Sequence, residues 1–294
     1  MNTVYKNVRI ADRDIEFILC EIKALFLRGK ILKELKQYQD DEEKGKIYRY
    51  LKKHWLSVFP YEYVSEYNLN NVLAKKDDET GLIYIEDDGI RLYMKRSYKS
   101  LFRARRYYIN ILIEQDYRSP HCYTTENFCP KEDDIILDIG GAEGYFPLKY
   151  IDKVKAVYIF ECNNEWIEAL NHTYEKYKDK VHIIDKFVSD YDDESHISLD
   201  NFVNTYGISE ENLYIKMDAE GSEPLIIKGG KKLLNHNKHV KLNLCTYHQS
   251  GHEKMFRNLF KGWKIENSSG YMIYYYDFNL KTPYIRRGVL RISR

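Results

Sequence analysis

Short apolar runs alternate with amphipathic stretches along the second half of this chain. Seven runs have the length of β-strands: Ile135–Leu137, Ala156–Phe160, Val181–Val188, Leu213–Asp218, His239–Thr246, Trp263–Glu266 and Tyr271–Tyr276. Between them lie helical patterns at Tyr145–Val154, around Trp166, at Ser222–Leu234 and at Gly251–Phe260. Strands that alternate with helices predict an α/β fold, with a mostly parallel sheet and helices on both of its faces.

The first of these strands is followed by a loop that contains Gly140, Gly141 and Gly144. Glycine adopts backbone angles that other residues avoid, and it lets a ligand approach the main chain closely. A strand, a glycine-rich turn and a helix form the opening unit of nucleotide-binding α/β domains. The sequence therefore predicts that this loop contacts a ligand of the nucleotide type.

The charges around this loop distinguish between such ligands. Asp138 ends the strand and Glu143 lies within the loop, so a pyrophosphate group would be repelled there. Ala142 and Tyr145 occupy positions where a dinucleotide-binding loop has glycine. S-adenosylmethionine has no phosphate and carries an ammonium and a sulfonium group, so it is the predicted cofactor. An NAD-dependent oxidoreductase is the disfavoured alternative.

Polar side chains follow several of the predicted strands. Asp138, Glu161, Asp218 and His248 each come at the carboxyl end of a strand, which is the edge where open parallel sheets bind their ligands. Glu161 is predicted to accept the ribose hydroxyls of the cofactor. Asp190, which follows the third predicted strand, is predicted to contact the adenine amino group.

Three motifs resemble those of one enzyme family. They are Asp138-Ile139-Gly140 with Gly144-Tyr145-Phe146, then Phe160-Glu161-Cys162-Asn163, then Lys216-Met217-Asp218-Ala219-Glu220-Gly221-Ser222-Glu223. The set is similar to that of FkbM-type methyltransferases and extends from about Ser119 to the C-terminus. The resemblance implies a Rossmann-like class I methyltransferase fold with a seven-stranded sheet, and O-methylation of a sugar or glycan precursor in polysaccharide biosynthesis. The family often has Asn where Ala142 stands, so a catalytically degenerate binding module is the alternative.

Methyl transfer to a hydroxyl needs the acceptor oxygen, the methyl carbon and the sulfur in line, with a base near the hydroxyl. His248 is the first candidate for this base because imidazole titrates near neutral pH, and Asp218 is the second. Asp218 could instead orient the hydroxyl or hold the methionine ammonium. Asp218, Glu220 and His248 could together bind Mg²⁺ or Mn²⁺, but no independent ligand spacing supports an ion, so no metal site is predicted. His121 is expected to be a loop residue whose polar groups are satisfied, and not a catalyst.

The first 110 residues carry no comparable chemistry. Asp12–Gln39 and Ile47–Val58 predict amphipathic helices, and Gly81–Tyr93 predicts a β-hairpin. We therefore divide the chain into an N-terminal helical region with a β-hairpin, residues 1–110, and a class I methyltransferase domain, residues 111–294. The N-terminal helices are expected to form a cap or a homodimer surface.

Two basic stretches, Lys95–Tyr108 and the C-terminal tail Pro283–Arg294, contain no acid. Both are expected to be solvated surface, although they could instead attract a phosphate-bearing acceptor.

The composition argues against several other classes of protein. The 294 residues carry a formal net charge of +1, which disfavours a general nucleic-acid-binding protein. Five cysteines are scattered without Cys-x-x-Cys spacing, which favours a reducing, cytoplasmic location over a disulfide framework. The sequence contains no long uncharged apolar run, so neither a membrane span nor a signal peptide is predicted.

Overall fold

The computed structural model of the protein describes residues 26–277 and 280–294. Its first helix, α1, occupies residues 26–35, so the part of the predicted Asp12–Gln39 helix before residue 26 lies outside the described residues. The second helix, α2 (Lys44–Lys53), begins and ends earlier than predicted.

These two helices cover a surface formed by the other end of the chain. Their buried side chains, such as Ile31 and Leu51, pack against Ile273 and Ile285. Burial of apolar side chains of this size stabilises the folded state by about 1.5–3 kcal/mol each. The helices therefore act as a cap on their own chain, and a homodimer through them stays a prediction.

A small antiparallel sheet follows, formed by β1 (Leu73–Lys76), β2 (Ile83–Asp87) and β3 (Ile90–Tyr93). Its second turn confirms the predicted hairpin, because Asp88 and Gly89 both have positive φ, as this kind of tight turn requires. The next helix, α3 (Leu101–Glu114), runs through the predicted domain boundary at residue 110. The division into two domains stays a prediction.

The strands that follow are β4 (Ile135–Ile139), β5 (Ala156–Phe160), β6 (Val181–Ile184), β7 (Phe187–Ser189), β8 (His196–Ser198), β9 (Leu213–Met217), β10 (Val240–Cys245), β11 (Lys264–Asn267) and β12 (Val289–Ser293). The large sheet has the order β11-β12-β10-β9-β4-β5-β6, and β7 pairs with β8 in a separate small sheet. Strand β12 is antiparallel to both of its neighbours, whereas the other pairs of the large sheet are parallel. This topology confirms the predicted Rossmann-like class I methyltransferase fold with a seven-stranded, mostly parallel sheet.

Helices cover both faces of the large sheet, as predicted. They are α4 (Tyr145–Leu148), α5 (Asn164–Thr173), α6 (Leu199–Thr205), α7 (Glu223–Gly229), α8 (Lys231–His236) and α9 (His252–Leu259). Alternate residues of one strand enter different cores, since Ile136 packs with the cluster that contains α5, and Leu137 packs with the cluster that contains α6 and α9. Strands with apolar residues on both faces need this double cover, which explains the continuous apolar runs of the sequence.

The prediction that Tyr271–Tyr276 forms the last strand is wrong, because these residues are not part of the large sheet. The last strand of the sheet is β12, which lies in the tail that we expected to be solvated. Arg291 in this strand is only 5% exposed and donates to the main-chain carbonyls of Cys122, Tyr123 and Asn267. A buried arginine is tolerated when its donors are paired, and a charge count along the sequence cannot detect such pairing.

Three other predicted elements differ in extent. The third strand is broken, because β6 ends at Ile184 and the following residues enter the small sheet. The helix predicted at Tyr145–Val154 ends at Leu148. The helix predicted at Ser222–Leu234 is divided into α7 and α8, and a Cβ atom at Gly229 would lie 2.0 Å from the carbonyl oxygen of Ser189.

In the described part of the chain, no helix has the length and apolarity that crossing a lipid bilayer requires.

Candidate functional site

The loop after β4 is wedged between the ends of the two neighbouring strands. Gly140 has a φ of +75°, and a Cβ atom there would lie 2.2 Å from the carbonyl oxygen of Asp218, which follows β9. A Cβ atom at Gly141 would lie 2.2 Å from the side chain of Ile159 in β5. These two positions therefore require glycine, because the backbone approaches its neighbours too closely for a side chain.

Asp138 is enclosed beneath this loop. Its side chain is 1% exposed and lies 2.9 Å from the ammonium of Lys216 in β9. Burial raises the pKa of the Asp138 carboxyl, and the charge of Lys216 offsets this only in part. Burial opposes the charge on Lys216, but Asp138 and Asp218 outweigh it and raise the pKa of this ammonium. The acid at the end of β4 thus pairs inside the protein, and its predicted contact with the cofactor stays a prediction.

Glu161 lies on the other side of the loop, at the end of β5. Its carboxylate accepts the backbone N–H of Ala142 at 2.9 Å, and also those of Cys162 at 2.9 Å and Asn163 at 2.8 Å. The side chain of Asn163 caps α5 by accepting the N–H groups of Glu165 and Trp166. Glu161 therefore holds both the glycine-rich loop and the start of α5, while it remains partly exposed.

Asp218, at the end of β9, is the centre of a polar cluster. The hydroxyl of Tyr123 donates to its Oδ2 at 2.7 Å, and the hydroxyl of Tyr247 donates to its Oδ1 at 3.0 Å. Nε2 of His121 lies 3.4 Å from Oδ2. Burial works against ionisation of Asp218, but His121, His248 and Lys216 hold its pKa well below the usual range. The carboxylate is therefore ionised at neutral pH and tightly oriented.

The sequence pattern does not place His121, Tyr123 or Tyr247 in this cluster. The expectation that His121 has its polar groups satisfied is compatible with the contacts of its Nε2, but it does not name Asp218 as a neighbour. One feature could have indicated it: the aromatic and polar loop around Tyr123 stands immediately before the first strand of the large sheet. A loop at that place can fold back over the carboxyl ends of the strands.

His248 follows β10 and lies between carboxylates on two sides. Its Nδ1 is 2.9 Å from Oε1 of Glu223, and its Nε2 is 3.3 Å from Oδ1 of Asp218 and 3.6 Å from Oε2 of Glu220. The side chain is 3% exposed. Burial alone would favour the neutral ring, but the contact with Glu223 and the three nearby carboxylates raise the pKa of His248 to about 9. Arg286 donates to the carbonyl oxygen of His248 and fixes the main chain there.

Asp190 lies apart from these groups. It follows β7 in the small sheet, so the assumption that it ends the third strand of the large sheet is wrong, and Asp185 is the acid that follows β6. The carboxylate of Asp190 pairs with the ammonium of Lys228, which lowers the pKa of Asp190. The predicted contact between Asp190 and adenine stays a prediction.

The structure thus brings most of the predicted site residues to one edge of the sheet. Asp218 and His248 are in contact, and Asp138 pairs with Lys216, whose charge also helps to lower the pKa of Asp218. The glycine-rich loop separates the Asp218 cluster from Glu161. Such an arrangement offers the main chain of the loop to a ligand, with a partly exposed carboxylate on each side of it, those of Asp218 and Glu161.

No protein-family model matches the sequence, and no curated protein matches it. Similar solved structures include a precorrin-6y C5,15-methyltransferase from Geobacter metallireducens, at 12% identity over 71% of this chain and 94% of that chain, with a TM-score of 0.38. A precorrin 8W decarboxylase from Methanobacterium thermoautotrophicum matches at 14% identity over 55% of this chain and 82% of its own, with a TM-score of 0.35.

A Streptococcus agalactiae protein of the NADB-Rossmann superfamily matches at 12% identity over 57% of this chain and 64% of its own, with a TM-score of 0.36. The chain thus spans less than two thirds of that protein. Similarity at this level gives no argument about activity, which has to come from the site itself.

Proposed function

We propose that this protein is an S-adenosylmethionine-dependent O-methyltransferase that acts on a hydroxyl of a sugar or glycan precursor. The observation that carries the proposal is the position of the loop from Gly140 to Gly144, which lies between the oriented carboxylate of Asp218 and the carboxylate of Glu161. An acidic surround of this kind favours a cationic adenosine derivative and repels a pyrophosphate.

The role of each residue towards the cofactor follows from the hydrogen-bonding atoms that it does not already use within the protein. Three of the roughly four acceptor sites of the Glu161 carboxylate take backbone N–H groups, so about one remains for a ribose hydroxyl, and its partial exposure supports this role. Gly140, Gly141 and Gly144 would present main-chain atoms to the methionine part. Asp138 would act through Lys216, whose ammonium also donates to the carbonyl oxygen of Gly140 at 2.7 Å and so holds the loop.

Methyl transfer would break the carbon–sulfur bond, with its electron pair returning to sulfur, while the acceptor oxygen forms the new bond to carbon and gives up its proton. The side chain of Asp218 is 17% exposed and that of His248 is 3% exposed, so Asp218 is the better candidate to meet the acceptor hydroxyl and take this proton. His248, which is buried next to Asp218, would orient the carboxylate through the contact of its Nε2 with Oδ1. This reverses the order of the two candidates drawn from the sequence.

The acceptor class rests on the resemblance of the three sequence motifs to FkbM-type methyltransferases. The low pKa of Asp218 makes it a weak base towards a free sugar hydroxyl. The hydroxyl proton becomes strongly acidic as the oxygen bonds to the methyl carbon, and an oriented carboxylate within hydrogen-bond reach can then accept it. A cytoplasmic location and a phosphate-bearing acceptor belong to the same proposal.

Incubation of the protein with methyl-deuterated S-adenosylmethionine and a sugar and glycan extract, followed by mass spectrometry, tests the activity. We expect a product heavier by one labelled methyl group. Asp218→Asn should lower the rate by about 10²–10⁴-fold, the usual contribution of a positioned base. Asp152→Asn, which changes an exposed acid in a turn, should leave the rate unchanged.

Binding of S-adenosylmethionine without any labelled product would contradict transferase activity and favour the binding module. A wild-type rate in Asp218→Asn would show that another group takes the proton.

A further inference from the structure

Three carboxylates surround the ring of His248 at the end of β10. Glu223 contacts Nδ1 on one side, and Asp218 and Glu220 approach Nε2 on the other. The ring is almost completely buried; Nδ1 lies 2.9 Å from Glu223, whereas Nε2 has no hydrogen-bond partner within the described residues. A buried ring nitrogen without a partner needs an explanation, and a role as a cation ligand is one.

The spacing around Nε2 fits the coordination of a small divalent cation. Ions such as Mg²⁺ bind at about 2.0–2.1 Å in octahedral geometry, which puts neighbouring ligand atoms about 3 Å apart. Nε2 is 3.3 Å from Oδ1 of Asp218 and 3.6 Å from Oε2 of Glu220. Among the described residues, the ligand atoms that already lie within 4.8 Å of one another here belong to Asp218, Glu223 and His248. The exposed side chain of Glu220 would therefore have to turn towards Asp218 for the three atoms to surround one ion.

The surrounding contacts prepare His248 for this role. A histidine that binds a metal through one nitrogen usually has its other nitrogen against a carboxylate, which orients the ring. Glu223 occupies that position beside Nδ1, and its own Oε1 is fixed by the backbone N–H groups of Ala219 and Gly221.

Glu220 provides the opening to solvent. Its side chain is 56% exposed, in contrast to those of the other ligands, and its φ of +53° is unusual for a residue with a side chain. Residues in such conformations are often found at functional sites, where other contacts hold them. The Glu220 side would let an ion and its remaining water molecules enter.

We infer that His248 Nε2, Asp218 Oδ1 and Glu220 Oε2 form a site for a divalent cation such as Mn²⁺ or Mg²⁺, with Glu223 as the group that orients His248. Because a ligating imidazole is neutral, binding of the ion would release the proton of Nε2 to solvent. With three protein ligands, an octahedral ion keeps about three positions for water or for oxygens of an acceptor. This inference rests on the proposed function and adds to it an acceptor class whose oxygens bind a hard cation. The sequence alone predicts no metal site here.

The test uses the full chain after dialysis against a chelator, titrated with MnCl₂ while electron paramagnetic resonance records free Mn²⁺. We expect the wild type to bind one Mn²⁺ and Mg²⁺ to displace it. Glu220→Gln should weaken Mn²⁺ binding by at least tenfold, and Glu223→Gln should weaken it by about tenfold through the orientation of His248. Glu210→Gln, an exposed acid away from the site, is the matched control and should bind normally.

Absence of Mn²⁺ binding by the wild type at millimolar concentration would overturn the inference. Equal affinities in Glu220→Gln and Glu210→Gln would overturn it as well, because the ion would then bind elsewhere. Calorimetry with S-adenosylmethionine on the same samples separates the two proposals. If the wild type does not bind S-adenosylmethionine, the proposed function is contradicted. The Mn²⁺ titration by itself decides whether the cation site exists.

Discussion

The ammonium of Lys216 lies 2.9 Å from the carboxylate of Asp138, and both side chains are almost completely buried. The pair joins β9 to β4 beneath the glycine-rich loop, and Lys216 also donates to the carbonyl oxygen of Gly140. An acid that the sequence offers as a ligand contact is thus part of the support for the loop. Asp138 would therefore contribute to ligand binding mainly by holding the loop in shape.

Replacement of Lys216 by Met should destabilise the protein strongly. The carboxylate of Asp138 would be left buried without its cation, and breaking a buried pair in this way costs about 3–5 kcal/mol. Urea denaturation measures the free energy of unfolding. Lys155→Met is the control, because Lys155 pairs with Glu211 at 2.8 Å on the surface, where such a pair contributes about 0–1 kcal/mol. Equal losses in the two variants would contradict the support role of Lys216.

Replacement of Glu161 by Ala should weaken S-adenosylmethionine binding by about 1–3 kcal/mol, the usual cost of losing charge-assisted hydrogen bonds. Part of this loss would come from the loop, since Ala142 would lose its acceptor. Glu161→Gln keeps an oxygen for the loop but loses the charge, so it should bind with intermediate affinity. Isothermal titration calorimetry compares the three proteins, and unchanged affinity in Glu161→Ala would remove the ribose role.

The stability of the folded protein should depend on pH through Glu114, the last residue of α3. Burial is the main cause that raises the pKa of its carboxyl to about 7, from an ordinary value of 4.5. The folded protein therefore binds more protons than the unfolded chain between these values, so this group lowers stability as the pH rises from 4.5 through about 7.

Glu114→Gln should accordingly be more stable than the wild type at pH 8, by on the order of 1–3 kcal/mol. At pH 5 most of this difference should disappear, because the wild-type carboxyl is then protonated when folded. Urea denaturation at the two pH values measures the difference. A variant that is less stable than the wild type at pH 8 would show that the Glu114 carboxylate is well solvated or paired.

Arg291 connects the last strand to the loop that carries Tyr123. Its guanidinium donates to the carbonyl oxygens of Cys122 at 2.6 Å, Tyr123 at 2.9 Å and Asn267 at 3.1 Å. Arg291→Met should cost about 1–3 kcal/mol for each carbonyl left buried without a donor. It should also lower turnover, because Tyr123 would no longer be held against Asp218.

Arg294 provides the comparison for this change. It also donates to two main-chain carbonyls, those of Leu234 and Asn235, but from the partly solvated end of the chain. Arg294→Met should therefore lose much less free energy of unfolding and keep its turnover. Similar losses in both variants, recorded by thermal unfolding and a methyl-transfer assay, would contradict the specific role of Arg291.

Much of the fold could be predicted because strands buried on both faces leave continuous apolar runs, as at Ala156–Phe160. Strand β12 escaped prediction because Arg291 interrupts its apolar pattern, and the carbonyls that pair with it come from distant parts of the chain. Asp138, Glu161 and Asp218 could be identified from the sequence because each stands at the carboxyl end of a predicted strand. Which acid pairs inside the protein, as Asp138 does with Lys216, depends on the register between β4 and β9.

The aromatic members of the cluster could not be predicted in the same way. Tyr123 and Tyr247 are among 28 tyrosines, and nothing in their immediate sequence separates them from tyrosines that only fill the core. Their contact with Asp218 is created by the fold, which brings the loop before β4 and the end of β10 to the end of β9.

Calorimetric titration of the purified protein with S-adenosylmethionine, and in parallel with NAD, tests the central claim most directly. The position of the glycine-rich loop between the carboxylates of Glu161 and Asp218 predicts that S-adenosylmethionine binds with one molecule per chain and that NAD does not bind. Tighter binding of NAD, or binding of neither compound, would contradict the account.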